Sequence, residues 1–312
     1  MTPGKLHDSP SNEVERMIED LRDVSVWKRG KQRAPHKPLL LLFALASLQR
    51  NEPRLTNYSS VHDQLGELLR EFGPPRQSVH PEYPFWRLQN DGNFWDIPQR
   101  DAVIQTRGNQ IKTGDIPPSV LSQVDCKGGF SKPLHTYLSS HPNIVNDLAQ
   151  MILEEHFPSS LHEGLLSAVG MPATHDQTIK AKRDPEFRRK LLRLYEHRCA
   201  ICSFDGRLGN TDIGLEAAHV KWHSQGGPDE PQNGLLLCSL HHLAFDRGAI
   251  GLTSDRKVCV SQHVHGGPVV DDVIIGLNGN TIATPIDPAA ALHQKYISWH
   301  KSEVFRCPAR PV

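Results

Sequence analysis

Two pairs of metal-binding side chains constrain the fold of the C-terminal half more than any other feature of the sequence. Cys199 and Cys202 form a C-x2-C pair, and Cys238 and His241 form a C-x2-H pair after 35 intervening residues. Two residues between ligands let both side chains of a tight turn reach one tetrahedral ion, and four protein ligands leave no open coordination position. The spacing therefore predicts a structural Zn²⁺ site. The alternative is a group of buried free thiols with a capping histidine.

Cysteine usage and hydropathy predict a cytoplasmic protein without disulfides. The first residues lack the apolar stretch of a signal peptide, so a disulfide framework is not expected. The longest apolar run, residues 39–46, has eight residues, whereas about 20 are needed to cross a bilayer. We therefore expect no membrane association. Packing roles are expected for the cysteines outside the two pairs, which are Cys126, Cys259 and Cys307.

A second motif lies between and just beyond the two metal-binding pairs. It contains His219, Asn233 and His242, together with a G-G-x-D-x-x-x-N-G turn over residues 226–234 and a His-His-x-x-x-Asp run from residue 241. With the cysteine pairs, this motif makes residues 194–248 resemble the HNH, or ββα-metal, nuclease family. The resemblance implies a nuclease domain of that fold.

The resemblance also implies a role for each of the three residues. Phosphodiester hydrolysis needs a base that activates water and a divalent cation that neutralises charge on the phosphate and the leaving oxygen. His219, near the end of a predicted strand, is the candidate general base, since the pKa of imidazole lies near neutral pH. Asn233 would hold this base and its loop by amide hydrogen bonds. His242 would bind one catalytic cation of the Mg²⁺ or Mn²⁺ type, while His241 diverges from it by about 100° around the helix, toward the zinc.

One position departs from the family pattern. Many members carry an aspartate immediately before the base as a second metal ligand, and Ala218 stands there in this chain. Glu216 could supply the missing carboxylate, because it lies on the same face of the strand as Ala218. Asp246, one helical turn beyond His242, is the alternative. Glu216 could equally be an ordinary exposed strand residue.

Helical periodicity dominates the N-terminal half. Apolar residues recur at helical spacing from Asn12, over residues 61–72 and over residues 143–156. A helix is also predicted over residues 36–48, where Pro38 occupies a first-turn position before an apolar run, and another over residues 118–124. Residues 83–97 instead hold two aromatic-rich segments on either side of Asn90, Asp91, Gly92 and Asn93. Such a turn between apolar segments predicts a β-hairpin.

The chain is predicted to be an α+β protein of two domains. A helical domain with a β-hairpin would occupy residues 1–165, and a ββα-metal domain with structural zinc would occupy residues 181–312. Residues 166–180 are rich in small and turn-forming residues without sustained periodicity, which is typical of a linker. A final helix is expected to start at Asp287.

Basic charge is local. The whole chain has 35 basic and 35 acidic residues, so its net charge does not favour nucleic acid. Residues 181–198, however, carry seven Lys and Arg against three acids, a net charge of +4. Residues 27–37 carry five Lys and Arg and no acid, and a basic loop at a helix N-terminus can bind phosphate. The basic residues of the helix from residue 184 could instead simply form its solvent-exposed face.

The N-terminal half also has a family resemblance. The segments R-A-P-H-K-P-L-L-L-L, from Arg33, and H-P-E-Y-P-F-W-R-L, from His80, are followed by D-G-x-x-W, from Asp91. Over residues 10–155 this pattern resembles the sulfur-binding domain of phosphorothioate-dependent restriction endonucleases. The resemblance implies that the domain binds double-stranded DNA in which sulfur replaces one non-bridging phosphate oxygen.

The residues that match the family's sulfur site are His36, Lys37, Tyr83 and Pro84, with Arg33 contacting the DNA backbone nearby. Sulfur is larger and less strongly hydrated than oxygen, so contacts with a proline ring, an aromatic ring and aliphatic stems favour it. Lys37 stands where the family often has arginine. Lysine lacks the planar guanidinium, which can donate two parallel hydrogen bonds to one phosphate. Tyr83 and Pro84 could alternatively be hairpin core, and His36 a helix cap.

Together the two resemblances predict a modification-dependent restriction endonuclease that recognises phosphorothioated DNA and cleaves it by a one-metal HNH mechanism. Two alternatives remain. The chain could be an HNH nuclease that reads methylated bases, or, since Ala218 departs from the pattern, a binding protein that no longer cuts. A homodimer could convert two nicks into a double-strand break.

Overall fold

The computed structural model describes residues 11–24, 34–108, 115–171 and 185–312. The N-terminal half contains nine α-helices and three short strands within these ranges. The helices are α1 (Asn12–Arg22), α2 (His36–Gln49), α3 (Tyr58–Phe72), α4 (Glu82–Arg87), α5 (Arg100–Arg107), α6 (Pro118–Gln123), α7 (Lys132–Ser140), α8 (Pro142–His156) and α9 (His162–Val169). The strands are β1 (Thr56–Asn57), β2 (Trp95–Asp96) and β3 (Lys127–Phe130).

Helix α2 forms the centre of the N-terminal core. Its residues 39–42 are four consecutive buried leucines, so the helix is apolar all round, as expected of a helix enclosed by others. Helices α3, α4, α7 and α8 pack around it. The predicted helices α1, α2, α3, α6 and α8 are confirmed.

The predicted β-hairpin is wrong. Residues 82–87 form α4, residues 88–90 form a 3₁₀ turn, and Trp95 belongs to a strand that pairs with β3 instead. The three strands form an antiparallel sheet in the order β1-β3-β2. Phe85 is buried with its ring edge-on to Tyr58 and Trp95. This long-range packing decides the conformation of an aromatic segment whose period alone is ambiguous.

Helix α9 overlaps the predicted linker. Leu166 and Val169 of α9 and Met171 beyond it are buried in the N-terminal core. The first part of residues 166–180 is therefore folded, because its apolar side chains have a core to enter. Residues 172–184 lie outside the described ranges. The domain limits stay a prediction, and the packing favours a first boundary beyond residue 171.

The C-terminal half contains four helices and six strands within the described residues. The helices are α10 (Pro185–Leu194), α11 (Ser239–Asp246), α12 (Pro268–Val273) and α13 (Gln294–Glu303). The strands are β4 (Arg207–Leu208), β5 (Thr211–Asp212), β6 (Leu215–His219), β7 (Gly234–Cys238), β8 (Ile250–Leu252) and β9 (Val258–Val260). The final helix begins at Gln294 rather than Asp287, since Asp287 caps a separate 3₁₀ turn over Pro288–Ala290.

Strands β6 and β7 with helix α11 form the predicted ββα unit. The strands are antiparallel, with Ala217 opposite Leu236 and His219 opposite Gly234. Helix α10 lies directly on β7, because a Cβ added to Gly234 would come within 2.8 Å of Leu191 and Phe187. This close approach brings Phe187 beneath the end of β6.

The two halves share part of their core. Trp222, Trp299 and Val304 of the C-terminal half are buried in the N-terminal hydrophobic cluster, and Arg76 forms an ion pair with the buried Glu303 at 2.8 Å. The halves are therefore packed against each other. Within the described residues, none of the helices combines the length and the apolar character that a membrane span requires.

Candidate functional site

The four predicted zinc ligands meet in one cluster. Cys199 and Cys202 lie in the turn after α10, Cys238 ends β7, and His241 lies in the first turn of α11. Their ligand atoms all lie within 4.8 Å of one another. Cys238 Sγ is 3.2 Å from His241 Nδ1, and Cys202 Sγ is 4.0 Å from Cys238 Sγ. Three soft sulfur ligands and one imidazole at this spacing could hold a metal ion.

The surroundings of the cluster favour metal binding. His241 Nε2 lies 2.8 Å from the carbonyl oxygen of Val273 and donates to it, which leaves Nδ1 available as a ligand. Hydrogen bonds shared with Cys202 and Cys238 lower the pKa of the Cys199 thiol, while the bond to Cys199 raises the pKa of the Cys202 thiol. Cys199 is therefore the cysteine of this pair that ionises first. A lowered pKa favours the thiolate, which is the form that binds metal.

His219 lies at the end of β6, where its ring is held on two sides. Its Nε2 is 2.6 Å from Asp229 Oδ1, and its ring stacks on Phe187 with centroids 4.5 Å apart. A carboxylate accepts only, so Nε2 carries the proton and Nδ1 is the basic nitrogen. Burial lowers the pKa of His219, while the hydrogen bond that its ring donates to Asp229 opposes that shift. The imidazole is therefore neutral near pH 7 and able to accept a proton.

Asn233 fastens the loop between β6 and β7. Its side chain is fully buried. Its Oδ1 accepts from the backbone N–H of Lys221 at 2.8 Å, and its Nδ2 donates to the carbonyl oxygens of Lys221 and Pro228 at 2.9 and 3.0 Å. These amide bonds close the loop that carries Asp229, so they hold the partner of His219 in place.

His242 lies between the two candidate carboxylates, Glu216 and Asp246. Its Nδ1 is 2.6 Å from Glu216 Oε2, and its Nε2 is 3.1 Å from Asp246 Oδ2. Burial alone would lower the pKa of His242, but the charges and hydrogen bonds of Asp246 and Glu216 raise it to about 9. A divalent cation at either ring nitrogen would meet a carboxylate as its second ligand.

His219 and His242 line the same cavity, here called the interdomain pocket. Its walls from the C-terminal half include Ala217, Asp229 and Asp246. Its other wall comes from the N-terminal half. The residues of that wall are Glu154, Phe157, Pro158 and Ser159. Glu216 lies on the opposite face of β6 from Ala217 and His219, as the alternation of a strand requires.

The predicted sulfur site lies where α4 packs on α2. Tyr83 is half-buried, and its ring stacks on His80 with centroids 4.6 Å apart. The guanidinium of Arg87 lies 4.7 Å from the centre of the Tyr83 ring. Burial, followed by the charges of His80 and Arg87, lowers the pKa of His36 to about 4. His36 and Tyr83 therefore belong to one cluster with these two basic residues.

The other predicted sulfur-site residues differ in accessibility. Lys37 Nζ donates to Asp91 Oδ1 at 2.8 Å, and its side chain is only 15% exposed. Its charge is thus already balanced by a partner. Pro84 is buried. Arg33, and the basic loop before it, lie outside the described residues.

Part of the predicted basic patch is neutralised. In α10, Arg189 and Arg193 both pair with Glu186, at 2.5 and 3.4 Å. Arg188 donates to the carbonyl oxygen of Leu215 at 3.1 Å. Lys182 and Arg183 lie outside the described residues. The described part of the patch fits the alternative of a solvated helix face better than a set of free phosphate contacts.

Sequence reasoning missed three residues of these sites: Asp229, His80 and Arg87. Asp229 is the acidic residue of the G-G-x-D turn, so a signal for it existed. In the predicted hairpin, Tyr83, Phe85 and Arg87 would share one face of a strand. In α4, Tyr83 and Arg87 share a helix face at i and i+4, while Phe85 enters the core.

The fold and the two sites define a DNA-binding domain joined to a nuclease domain. Residues 14–174 match the family model of the ScoMcrA-like DNA sulfur-binding domain, and residues 199–253 match the HNH endonuclease model. The chain belongs to the family with a ScoMcrA-like DNA sulfur-binding domain. Both predicted resemblances are confirmed.

Several solved structures are similar to about half of this chain. The sulfur-binding domain of ScoMcrA complexed with phosphorothioated DNA is 24% identical, with 51% of this chain and 96% of that chain covered and a TM-score of 0.42. The corresponding SprMcrA domain with phosphorothioated DNA is 19% identical, with 53% and 97% covered and a TM-score of 0.42.

A longer structure is also similar to part of this chain. The Type IV phosphorothioation-dependent restriction endonuclease ScoMcrA is 24% identical, with 49% of this chain covered and a TM-score of 0.40. The match spans only 32% of that longer chain. No curated protein matches the chain.

Replacing Asp229 with asparagine should shift the pH profile of cleavage. The carboxylate raises the pKa of His219, so its removal lowers that pKa. Since the base acts in its neutral form, the acid limb of the rate profile should move to lower pH. Loss of ring orientation should also reduce the maximal rate about 100-fold.

Asp212→Asn is the matched control for this measurement. Asp212 accepts a hydrogen bond from His197 at 2.8 Å, and this pair does not line the interdomain pocket. It should leave the cleavage profile unchanged. An acid limb that moves to higher pH in Asp229→Asn would contradict the proposed pairing.

Proposed function

We propose that this chain is a modification-dependent restriction endonuclease that binds phosphorothioated double-stranded DNA and hydrolyses its phosphodiester bonds. The observation that carries this proposal is the joining of a sulfur-binding family domain to an HNH domain in one chain. His219 and His242 both line the interdomain pocket, which further supports the proposal.

The residues divide the chemistry between them. His219 removes a proton from the attacking water through Nδ1, while Asp229 and the loop closed by Asn233 hold its ring. His242 holds a divalent cation of the Mg²⁺ or Mn²⁺ type, with Glu216 on the Nδ1 side and Asp246 on the Nε2 side as candidate second ligands. When bound, that ion neutralises charge on the scissile phosphate and the leaving oxygen. Water then displaces the leaving oxygen from phosphorus.

The cluster of Cys199, Cys202, Cys238 and His241 is proposed to hold a structural Zn²⁺. Four soft or borderline ligands form a closed tetrahedral set without a position for substrate. The zinc would join the turn after α10 to the end of β7 and the start of α11. It would thereby fix the helix that carries His242.

Sulfur recognition is proposed to depend on Tyr83, Pro84 and His36 rather than on net charge. The low pKa of His36 keeps its ring neutral, and the half-buried ring of Tyr83, packed against His80 and Arg87, offers weakly hydrated carbon atoms that favour sulfur over oxygen. Arg33 remains the proposed contact to the backbone. Lys37 would have to exchange its partner Asp91 for a phosphate, so we assign it a smaller contribution.

A binding comparison tests the specificity. Full-length His219→Ala protein, which should not cut, is titrated with a phosphorothioated duplex and with the same unmodified duplex. We expect tighter binding of the modified duplex than of the unmodified one. Tyr83→Ala should reduce the ratio of these two affinities about tenfold, or ~1.4 kcal/mol. The loss should fall mainly on the modified duplex, since the removed ring contacts sulfur.

Tyr137→Ala is the matched control for Tyr83, because its ring also stacks on a histidine, His141, with centroids 4.0 Å apart. It should keep the full preference. Equal binding of both duplexes, with tighter binding of a methylated duplex, would replace this proposal with the methyl-reading nuclease. Preference for sulfur without cleavage in Mg²⁺ or Mn²⁺ would replace it with the binding protein.

We further propose a cytoplasmic location and a homodimer as the form that makes double-strand breaks. Zinc-ligating thiols persist in a reducing compartment, which supports the location. Light scattering of the DNA complex tests the assembly. A mass of one chain per cleaved duplex would exclude the homodimer.

A further inference from the structure

Ser160 connects the sulfur-binding domain to the nuclease residues. It lies in the 3₁₀ turn Ser159–Leu161 that follows α8, within the region that matches the sulfur-binding family. Its hydroxyl donates a hydrogen bond to Asp246 Oδ2. Asp246 belongs to α11 of the nuclease domain, so this contact joins two domains at the edge of the catalytic site.

Asp246 is a buried charge whose acceptor sites are filled by specific donors. The residue is 2% exposed. Its Oδ1 accepts from Trp222 Nε1 at 3.0 Å, and its Oδ2 accepts from His242 Nε2 at 3.1 Å and from Ser160. A buried carboxylate needs such partners, because an uncompensated charge in the interior is strongly unfavourable. Ser160 therefore helps to fix the orientation of the carboxylate that contacts His242.

The packing around Ser160 fixes its position relative to α11. Trp222, three residues after His219, enters the N-terminal core and contacts Trp299 edge-on with centroids 5.9 Å apart. Gln225 Nε2 donates to the carbonyl oxygen of His156 at 3.3 Å. The loop after the catalytic strand is thus held against the same segment that presents Ser160.

We propose that Ser160 is a positioning residue for the nuclease, through which the sulfur-binding domain orients Asp246 and, with it, His242. The proposal rests on the function proposed above. It assigns the sulfur-binding domain a second task besides DNA recognition, because that domain completes the hydrogen-bond set behind the catalytic cation site.

The proposal predicts a defect in cation binding rather than in DNA binding. Changes to residues that orient metal ligands typically weaken metal affinity about 10- to 100-fold. We therefore expect Ser160→Ala to raise the Kd for Mn²⁺ at least tenfold and to increase the Mn²⁺ concentration needed for cleavage by a similar factor. Affinity for phosphorothioated DNA should stay within about twofold, since the Ser160 hydroxyl donates to Asp246 of the nuclease domain.

The experiment uses the full-length, zinc-loaded protein. Mn²⁺ binding is titrated by electron paramagnetic resonance, with His242→Ala as the variant that lacks the catalytic cation site. Ser160→Thr keeps the hydroxyl and should restore Mn²⁺ affinity to near the wild-type value. Ser139→Ala is the control for loss of a serine, because Ser139 Oγ donates only within α7, to the carbonyl oxygen of His135. It should bind Mn²⁺ normally.

A double-mutant cycle separates positioning from simple domain adhesion. If Ser160 acts through Asp246, Ser160→Ala should cause little further loss of Mn²⁺ affinity in an Asp246→Asn background. Additive losses would overturn the proposal, as would unchanged Mn²⁺ affinity in Ser160→Ala, with or without a lower melting temperature. Because Mn²⁺ binding is measured without DNA, the interpretation of these outcomes does not depend on whether the sulfur-recognition proposal is correct.

Discussion

His219→Ala is expected to abolish DNA cleavage while leaving affinity for a phosphorothioated duplex nearly unchanged. A positioned general base typically contributes 10²- to 10⁴-fold to the rate, and alanine cannot accept the proton of water. The proposed sulfur site at Tyr83 lies in the other half of the chain, so the variant should lose the chemical step alone. Single-turnover cleavage and equilibrium binding on the same duplex measure the two effects separately.

The control for this variant is His197→Ala. His197 also pairs with an aspartate, Asp212, at 2.8 Å in the same half of the chain, but outside the interdomain pocket. It should cleave like the wild type. His242→Ala should also lose cleavage, with partial recovery at high metal concentration. Parallel losses of binding and cleavage in His219→Ala would show that the two functions are not divided as proposed.

Cys199→Ala or Cys238→Ala should unfold or strongly destabilise the nuclease half rather than remove activity alone. Structural zinc sites in small domains typically contribute an apparent ~10–16 kcal/mol of binding free energy, which is coupled to folding. Here the cluster joins the start of α11 to the turn after α10. Loss of one thiolate would therefore separate these two elements from each other. Metal analysis of the purified protein, combined with thermal unfolding, measures the effect.

The matched control is Cys259→Ala, a buried cysteine of β9 in the same half that lies outside the cluster. It should retain one zinc per chain and a melting temperature closer to that of the wild type. Wild-type protein purified without tightly bound zinc would contradict the assignment of the cluster.

Local spacing in the sequence was sufficient to predict the nuclease unit. The ligands Cys238 and His241 lie within one turn of the hairpin–helix junction, and His219 and Asn233 flank a single loop. Such residues are brought together by a strand, a turn and a helix whose geometry follows from short-range rules. The helices α1, α3 and α8 were predictable for a similar reason, because each carries its apolar residues at helical spacing.

Only the tertiary structure decided the conformation of residues 82–90. The aromatic segment has no period long enough to separate a helix from a strand, and the contacts of Phe85 with Tyr58 and Trp95 settle it as a helix. This helix sets the surroundings of the predicted sulfur site, where Arg87 lies over Tyr83. The burial of Pro84 and the pairing of Lys37 with Asp91 follow from the same packing.

The tertiary structure also decided how the two domains meet. Ser160 and Asp246 are 86 residues apart, and Trp222 enters a core formed mostly by residues before 172. No periodicity or motif spacing encodes such contacts, since they depend on which surfaces remain apolar after each domain has folded. The sequence by itself therefore determined which residues are candidates for the chemistry, while the packing between domains decided what holds them in position.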